Sequence, residues 1–172
     1  MSRLVAKLSG VEEQSNKKIS ISQKLVNFIE QEAIELSSSN SSVKQFDRLA
    51  QELPLRILLA DDSSLDQIIA LRVLHSLGYQ ADVVINGLEL LKALEQQHYD
   101  LVITDIQMPC MGGLEATRLI CQQWSLETRP YIIALTSENE PNQGAKYLDA
   151  GMSSHIDKPL GVNKLIQALM NC

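Results

Sequence analysis

The stretch Leu55-Arg56-Ile57-Leu58-Leu59-Ala60-Asp61-Asp62 decides the fold of this chain, because a short apolar run ends abruptly in two acids. A run of this length is typical of a buried strand. Two more such runs follow, at residues 101–104 and at residues 131–135. In an open parallel sheet the carboxyl ends of the strands line one crevice, where ligands bind. We therefore expect the polar residues that follow the three runs to share one pocket. They are Asp61, Asp62, Asp105 and Thr136.

The composition is that of an ordinary globular protein. The chain has 172 residues, of which 45% are hydrophobic and 21% charged, enough for one domain and an appendage. Its formal charge of -6 disfavours a nucleic-acid partner, because phosphate contacts require clustered cations. No apolar run reaches the roughly 18 to 20 residues of a membrane span, so we expect no membrane contact. The amino terminus lacks the hydrophobic centre of a secretion signal, which indicates a cytoplasmic protein.

From residue 54 to residue 172 the sequence alternates strand-like and helix-like stretches with short connections. Five such cycles predict an α/β domain built on a five-stranded parallel sheet. The predicted strands are residues 55–60, 81–85, 101–105, 131–135 and 153–157. The predicted helices are residues 64–77, 88–97, 114–124 and 138–150, and a last one that contains residues 162–169.

Two of these helices have apolar side chains near helical spacing. In the first, Ser63 and Asp66 fit a capping box at the amino-terminal end. The side of this helix expected to face the core includes Leu65, Ile68, Ile69 and Val73. The last helix has the cleanest amphipathic pattern of the chain, with spacing i, i+3, i+4 and i+7. Its apolar residues are Val162, Leu165, Ile166 and Leu169.

Residues 1–53 are predicted to be a separate helical and linker extension before the domain at residues 54–172. Apolar residues between positions 19 and 36 suggest one amphipathic helix, and the Ser-rich stretch 37–42 is typical of a flexible linker. Two interpretations stay open. In the first, the extension is a tether or the trimmed end of a longer polypeptide. In the second, it is a helix that docks on a partner or forms a homodimer.

The polar residues at the strand ends indicate phosphoryl chemistry. Three carboxylates in one crevice repel one another, and a hard divalent cation relieves that repulsion. Mg²⁺ is commonly held by one or two carboxylates together with a substrate phosphate. One carboxylate can then attack phosphorus as a nucleophile. Lys158 adds a cation for a phosphoryl oxygen, and Thr136 adds a hydroxyl donor. Together these residues predict a magnesium-dependent receptacle for a phosphoryl group.

Residues 55–169 resemble the receiver domain of two-component response regulators. The resemblance rests on five hallmark positions in family order, which are Asp61, Asp62, Asp105, Thr136 and Lys158. The loop Met-Pro-Cys-Met-Gly-Gly-Leu-Glu-Ala-Thr at residues 108–117 is similar to that of receivers attached to hybrid histidine kinases. The resemblance implies a doubly wound, flavodoxin-like (βα)5 fold with strand order 2-1-3-4-5.

The resemblance also implies a role for each site residue. Asp105 would receive the phosphoryl group from a phosphohistidine on a histidine kinase or a histidine phosphotransfer domain. Asp62, Asp105 and the backbone carbonyl of Gln107 would ligate Mg²⁺, with Asp61 acting mainly through water. Lys158 would pair with the acceptor carboxylate and then with the phosphate. The peptide bond that follows it, to a proline, would be cis.

Two switch positions and two departures from the family pattern complete the prediction. Thr136 would move toward the phosphoryl oxygens, and the position three residues before Lys158, where the family has an aromatic switch residue, is His155. Asp66 stands where many relatives have Asn, and it adds a carboxylate one turn into the first helix. Gly112 replaces a common Asp, and the sequence offers no reason for it.

We expect the chain to act as the carboxyl-terminal receiver of a hybrid sensor kinase, and a free-standing regulator is the alternative. The chain would be no enzyme beyond its own phosphorylation and dephosphorylation. A phosphohydrolase of the haloacid dehalogenase type would need a carboxylate two residues after the nucleophile, where this chain has Gln107. A pseudo-receiver that only binds partners would typically lack the acceptor or the acidic pair.

Overall fold

A computed structural model describes residues 49–137 and 144–170, together with Gln23 and Asn27. The predicted helix at positions 19–36 therefore lies outside the described residues except at those two positions. The predicted linker 37–42 and the first part of the predicted helix 138–150 also lie outside the described residues.

Five parallel strands form one sheet in the order β2-β1-β3-β4-β5. Their bounds are β1 Ile57–Ala60, β2 Ala81–Val84, β3 Leu101–Asp105, β4 Tyr131–Thr136 and β5 Ser154–Asp157. The predicted strand order is confirmed. The second predicted strand ends one residue early, before the exposed Ile85, and the fifth begins at Ser154 rather than Ser153.

Helices cover both faces of the sheet, as the doubly wound fold requires. They are α1 Ser64–Ser76, α2 Gly87–Gln96, α3 Gly113–Gln123, α4 Gly144–Asp149 and α5 Val162–Met170, after a short helical turn at Leu49–Glu52. Successive β1 side chains point to opposite faces. Ile57 and Leu59 pack with buried residues of α1 and α5, whereas Leu58 and Ala60 pack with buried residues of α2 and α3.

The predicted inward face of α1 is wrong at its amino-terminal end. Leu65 is 67% exposed and Ile68 49% exposed, while the fully covered side chains of this helix are Ala70 and Leu74. The reason is that apolar residues occupy most sides of α1, so their spacing does not select one face. Ala70 and Leu74, which are four residues apart, pack over the sheet, and Leu65 and Ile68 remain at the surface.

The short turn before β1 packs into the same core. Leu49 and Leu53 are buried in the cluster that also contains Leu59 and Leu74. The Tyr79 hydroxyl donates a 2.8 Å hydrogen bond to the carbonyl oxygen of Leu53. The division of the chain after residue 53 stays a prediction, but the packed unit includes these side chains.

Two further observations concern the described residues alone. Cys110 and Cys121 are free thiols, and Cys172 lies outside the described range. Within residues 49–137 and 144–170, none of the helices combines the length and the apolar character needed to cross a bilayer.

Candidate functional site

The register of the sheet brings the predicted site residues to one edge. Ala60, the last residue of β1, lies opposite Thr104 of β3, so Asp61 and Asp105 leave the sheet side by side. Backbone hydrogen bonds continue the ladders one residue further. Asp61 N–H donates to the Val84 carbonyl at 3.1 Å, and Lys158 N–H donates to the Thr136 carbonyl at 2.7 Å. These bonds fix the backbone of each site residue at the carboxyl end of its strand.

The ammonium group of Lys158 joins three carboxylates. Its Nζ atom lies 2.6 Å from Asp105 Oδ2, 2.9 Å from Asp66 Oδ2 and 2.9 Å from Asp61 Oδ2. The first two contacts are hydrogen bonds donated by Nζ. The side chain of Lys158 is only 16% exposed, so the contacts are shielded from solvent. The peptide bond between Lys158 and Pro159 is cis, as the resemblance implied.

The second oxygen of each buried carboxylate is held by its own loop. Asp105 Oδ1 accepts a 2.9 Å hydrogen bond from Gln107 N–H, and Asp61 Oδ1 accepts one of 2.9 Å from Ser63 N–H. The predicted capping box is therefore only half right. Ser63 Oγ caps α1 by accepting from Asp66 N–H at 3.4 Å, but Ser63 N–H is taken by Asp61, and the Asp66 carboxylate turns to Lys158.

Burial and charge act in opposite directions in this cluster. Burial raises the pKa of the Asp61 carboxyl above its ordinary value, although the contact with Lys158 and the Ser63 hydrogen bond oppose the shift. Burial alone would lower the pKa of Lys158, but hydrogen bonds to the carboxylates, Asp105 first, raise it above its ordinary value. The two shifts are compatible, because one ammonium group is shared among three acids and cannot fully compensate each of them.

The acidic residues fit a divalent cation. Asp61, Asp62 and Asp105 each offer a carboxylate oxygen, and these oxygens lie within 4.8 Å of one another. Asp61 Oδ2 is buried and has no hydrogen bond, since its 2.9 Å contact with Lys158 is an ion pair without hydrogen-bond geometry. Because that ammonium group is shared with Asp66 and Asp105, a bound cation would add compensation for this buried oxygen. Hard oxygen ligands of this kind suit Mg²⁺.

The two predicted switch residues lie on the neighbouring strands β4 and β5. Thr136 is buried at the end of β4, and its hydroxyl donates a 3.0 Å hydrogen bond to Asp157 Oδ1. His155 is exposed on β5, with its ring centroid 5.9 Å from that of Tyr147. A Cβ atom added at Gly144 would lie 3.3 Å from the His155 ring, so α4 begins directly over this histidine. Their switch roles stay predictions.

Two glycines let α3 begin against the acceptor strand. A Cβ atom at Gly113 would lie 2.2 Å from the Asp105 carbonyl oxygen, and one at Gly112 would lie 2.5 Å from the Ile106 carbonyl oxygen. Gly113 N–H also donates to Ile106 O at 3.1 Å. This close approach is the physical reason for Gly112 that the sequence did not supply. In the same loop Cys110 adopts a positive φ of 65°.

The structure adds Asp66 to the predicted site. Its carboxylate lies 2.9 Å from Lys158 Nζ, although 92 residues separate the two in sequence. The signal that could have found it is its place one turn into the helix that follows the acidic pair. That helix begins at the crevice, so a carboxylate in its first turn lies near the strand ends.

Comparison with known proteins agrees with this arrangement. The family described as "Response regulator receiver domain" matches residues 57–170. The chain belongs to this family. As a receiver domain it shares 39% identity over 121 residues with the aerobic respiration control sensor protein ArcB of Escherichia coli K12, a match that covers 70% of this chain and 15% of that protein. It is also 32% identical over 130 residues to two-component response regulator 24 of Arabidopsis thaliana, covering 72% of this chain and 91% of the regulator.

Among solved structures, the receiver domain of the sensor histidine kinase PA1611 from Pseudomonas aeruginosa PAO1 is similar to this one. The TM-score is 0.59 at 33% identity, and the match covers 67% of this chain and 93% of that domain. That domain is described with a magnesium ion coordinated in its active site cleft. The receiver domain described here spans only 15% of ArcB and 11% of the related sensor protein EvgS, so those proteins are much longer than the shared region.

Proposed function

We propose that this receiver domain is a phosphoryl-accepting switch of a two-component phosphorelay, with Asp105 as the acceptor and Mg²⁺ as the cofactor. The observation that carries the proposal is the convergence at Asp105. One of its carboxylate oxygens lies 2.6 Å from Lys158 Nζ, and the carboxylate shares a 4.8 Å cluster with Asp61 and Asp62. A nucleophile, a cation-binding acidic pair and a mobile ammonium group thus meet at one point.

In the proposed reaction an oxygen of the Asp105 carboxylate attacks the phosphorus of a phosphohistidine. The P–N bond breaks, its electron pair stays on the imidazole nitrogen, which takes up a proton, and Asp105 becomes an acyl phosphate. Asp61, Asp62, Asp105 and the Gln107 carbonyl would hold Mg²⁺, which supplies charge neutralisation for the phosphoryl oxygens. Lys158 exchanges its contact with Asp105 Oδ2 for one with a phosphoryl oxygen.

Thr136 and His155 would transmit the change. To reach a phosphoryl oxygen, the Thr136 hydroxyl must leave Asp157 Oδ1, its acceptor at 3.0 Å. That rotation would vacate space at the end of β4, next to β5 and the first turn of α4. His155 lies in β5 against Tyr147 and Gly144 of α4, so it can respond to such a movement. Phosphorylation would then shift an equilibrium between two arrangements of this surface.

We favour a cytoplasmic receiver at the carboxyl-terminal end of a hybrid sensor kinase as the setting, because ArcB and EvgS are sensor proteins that share 39% and 37% identity with this domain. The phosphoryl donor would be a histidine kinase or a histidine phosphotransfer domain. A stand-alone regulator is the second candidate, since the match to response regulator 24 covers 91% of that protein.

Phosphoramidate, a small donor with a P–N bond, tests the proposal directly. The chain is incubated with phosphoramidate and Mg²⁺, and its intact mass is measured. We expect the mass to rise by one phosphoryl group, the adduct to be released by hydroxylamine as an acyl phosphate would be, and chelation of Mg²⁺ to prevent uptake.

Asp105→Asn should abolish uptake, whereas the matched variant Asp149→Asn should not change it. Asp149 is an exposed acid at the end of α4. If the unsubstituted chain never takes up the phosphoryl group, or if Asp105→Asn takes it up equally well, the proposed function is wrong.

A further inference from the structure

Among the described residues, the side chain of Asp66 contacts the site through Lys158. Its Oδ2 atom accepts a hydrogen bond of 2.9 Å from Lys158 Nζ. The acidic cluster suited to a cation consists, within the described residues, of Asp61, Asp62 and Asp105, and does not include Asp66. Asp66 is therefore a fourth carboxylate that lies on the lysine side of the crevice, and any effect on the acceptor should pass through Lys158.

Lys158 divides its hydrogen bonds between two acids, of which only Asp105 would be phosphorylated. Nζ donates to Asp105 Oδ2 and to Asp66 Oδ2. Phosphorylation removes the carboxylate charge of Asp105 and replaces it with the charge of a phosphoryl group, whereas Asp66 keeps its charge. The side chain of Asp66 is partly exposed, and its Oδ2 atom lies 2.9 Å from Lys158 Nζ. It continues to compete for the ammonium group after Asp105 has reacted.

We propose that Asp66 is a positioning residue that holds Lys158 in competition with the phosphoryl group on Asp105, and so lowers the affinity of the site for the phosphorylated state. This inference rests on the proposed function. It assigns to the Asp at this position a role that an Asn could not fill equally, because an amide oxygen accepts a hydrogen bond but has no charge with which to compete for the ammonium group of Lys158.

Beryllofluoride, an inert phosphoryl mimic, measures this competition without turnover. Its affinity for the full chain is determined by NMR titration at saturating Mg²⁺. Asp66→Asn keeps the size of the side chain and removes its charge, so beryllofluoride should bind roughly fivefold more tightly, the scale of a partly exposed ion pair. Asp66→Glu should stay within about twofold of the unsubstituted chain. Glu115→Gln, at an exposed acid in the first turn of α3, is the matched charge control and should change nothing.

The same pair of measurements in a Lys158→Ala background separates positioning from simple repulsion. If Asp66 acts through the lysine, Asp66→Asn should have no effect once Lys158 is absent, and the double-mutant cycle should show coupling. An equal gain in affinity in both backgrounds would mean that Asp66 only repels the anion through space, which overturns the inference. Unchanged affinity in Asp66→Asn alone overturns it as well.

A second measurement needs no lysine variant. The hydrogens of the Lys158 ammonium group should exchange with water several-fold faster in Asp66→Asn than in the unsubstituted, metal-free chain, because one of its acceptors has lost its charge. Unchanged exchange overturns the inference. If the unsubstituted chain binds neither Mg²⁺ nor beryllofluoride, the proposed function fails, and the exchange measurement still decides whether Asp66 holds the lysine.

Discussion

Replacing Gly113 by Ala tests how closely α3 is seated on the acceptor strand. The added methyl group would lie 2.2 Å from the Asp105 carbonyl oxygen and 2.5 Å from Thr104 Oγ1. Both atoms belong to buried residues of β3, which is hydrogen-bonded to a strand on each side. Ordinary contacts of such atoms are near 3.4 Å, so α3 and β3 must separate by about 1 Å.

The magnitude follows from two opposing terms. Forcing an extra methyl group into a packed site costs about 1–3 kcal/mol. Ala gains at most about 1 kcal/mol over Gly as a helix former, and Gly113 is in the first turn, where that gain is smaller. The clash therefore wins, and we expect Gly113→Ala to lower the free energy of unfolding by about 2 kcal/mol. A displacement of about 1 Å at Asp105 should also slow phosphoryl uptake by up to about a hundredfold.

Urea unfolding at 25 °C and initial rates of uptake from phosphoramidate are the two assays. Gly161→Ala is the matched control, because a Cβ atom there would meet nothing within 4 Å. It should change stability by no more than about 0.5 kcal/mol and leave uptake intact. If Gly113→Ala is as stable and as reactive as the control, α3 is not held against the acceptor strand by this contact, and the reasoning fails.

Three further predictions concern stability. Since the folded state binds the Asp61 proton more tightly than the unfolded chain does, the metal-free protein should lose stability as pH rises from the ordinary pKa of 3.8 through the raised value. The midpoints of urea unfolding, measured between pH 4 and 8, would show this fall in stability, and Asp61→Asn should make the fall smaller. An equally steep fall in Asp61→Asn would mean that Asp61 is not its source. Leu74→Ala should lower the free energy of unfolding in urea by about 2–5 kcal/mol, whereas Ile68→Ala should lower it by less than about 0.5 kcal/mol. Equal losses of stability would show that the assignment of the α1 core face is incorrect. Tyr79→Phe leaves the Leu53 carbonyl without its donor and should cost about 1–3 kcal/mol in thermal or urea unfolding, and a neutral result would mean that water replaces the hydroxyl.

The sheet and the acceptor cluster could be predicted because each depends on a local pattern. Apolar runs that end in an acid or a threonine mark strand ends, and parallel strands bring their ends together whatever the distance in sequence. This is how Asp61, Asp105 and Thr136 were placed in one crevice. The order of the strands came from the family resemblance, since alternation of strands and helices alone does not fix it.

The errors concern choices that only tertiary packing makes. The apolar residues of α1 cover more than one face, so the burial of Leu74 and the exposure of Leu65 depend on how the helix is rotated over the sheet. The predicted capping box gave the Asp66 side chain the wrong partner, because Lys158, which is 92 residues away in sequence, reaches its carboxylate only in the folded chain. For Gly112, the deciding contact is the carbonyl of Ile106 in the loop that follows β3, and sequence spacing does not reveal how closely that loop folds back.

The packing of Leu49 and Leu53 bears on the direction from which a phosphoryl donor would approach Asp105. Both side chains lie in the core beside the start of β1, and Ala50 N–H donates to the carbonyl of Leu77 at the far end of α1. Residues 49–53 therefore pack at the end of the sheet opposite Asp105. A phosphoryl donor that docks at Asp105 would approach the domain from the end away from Leu49 and Leu53.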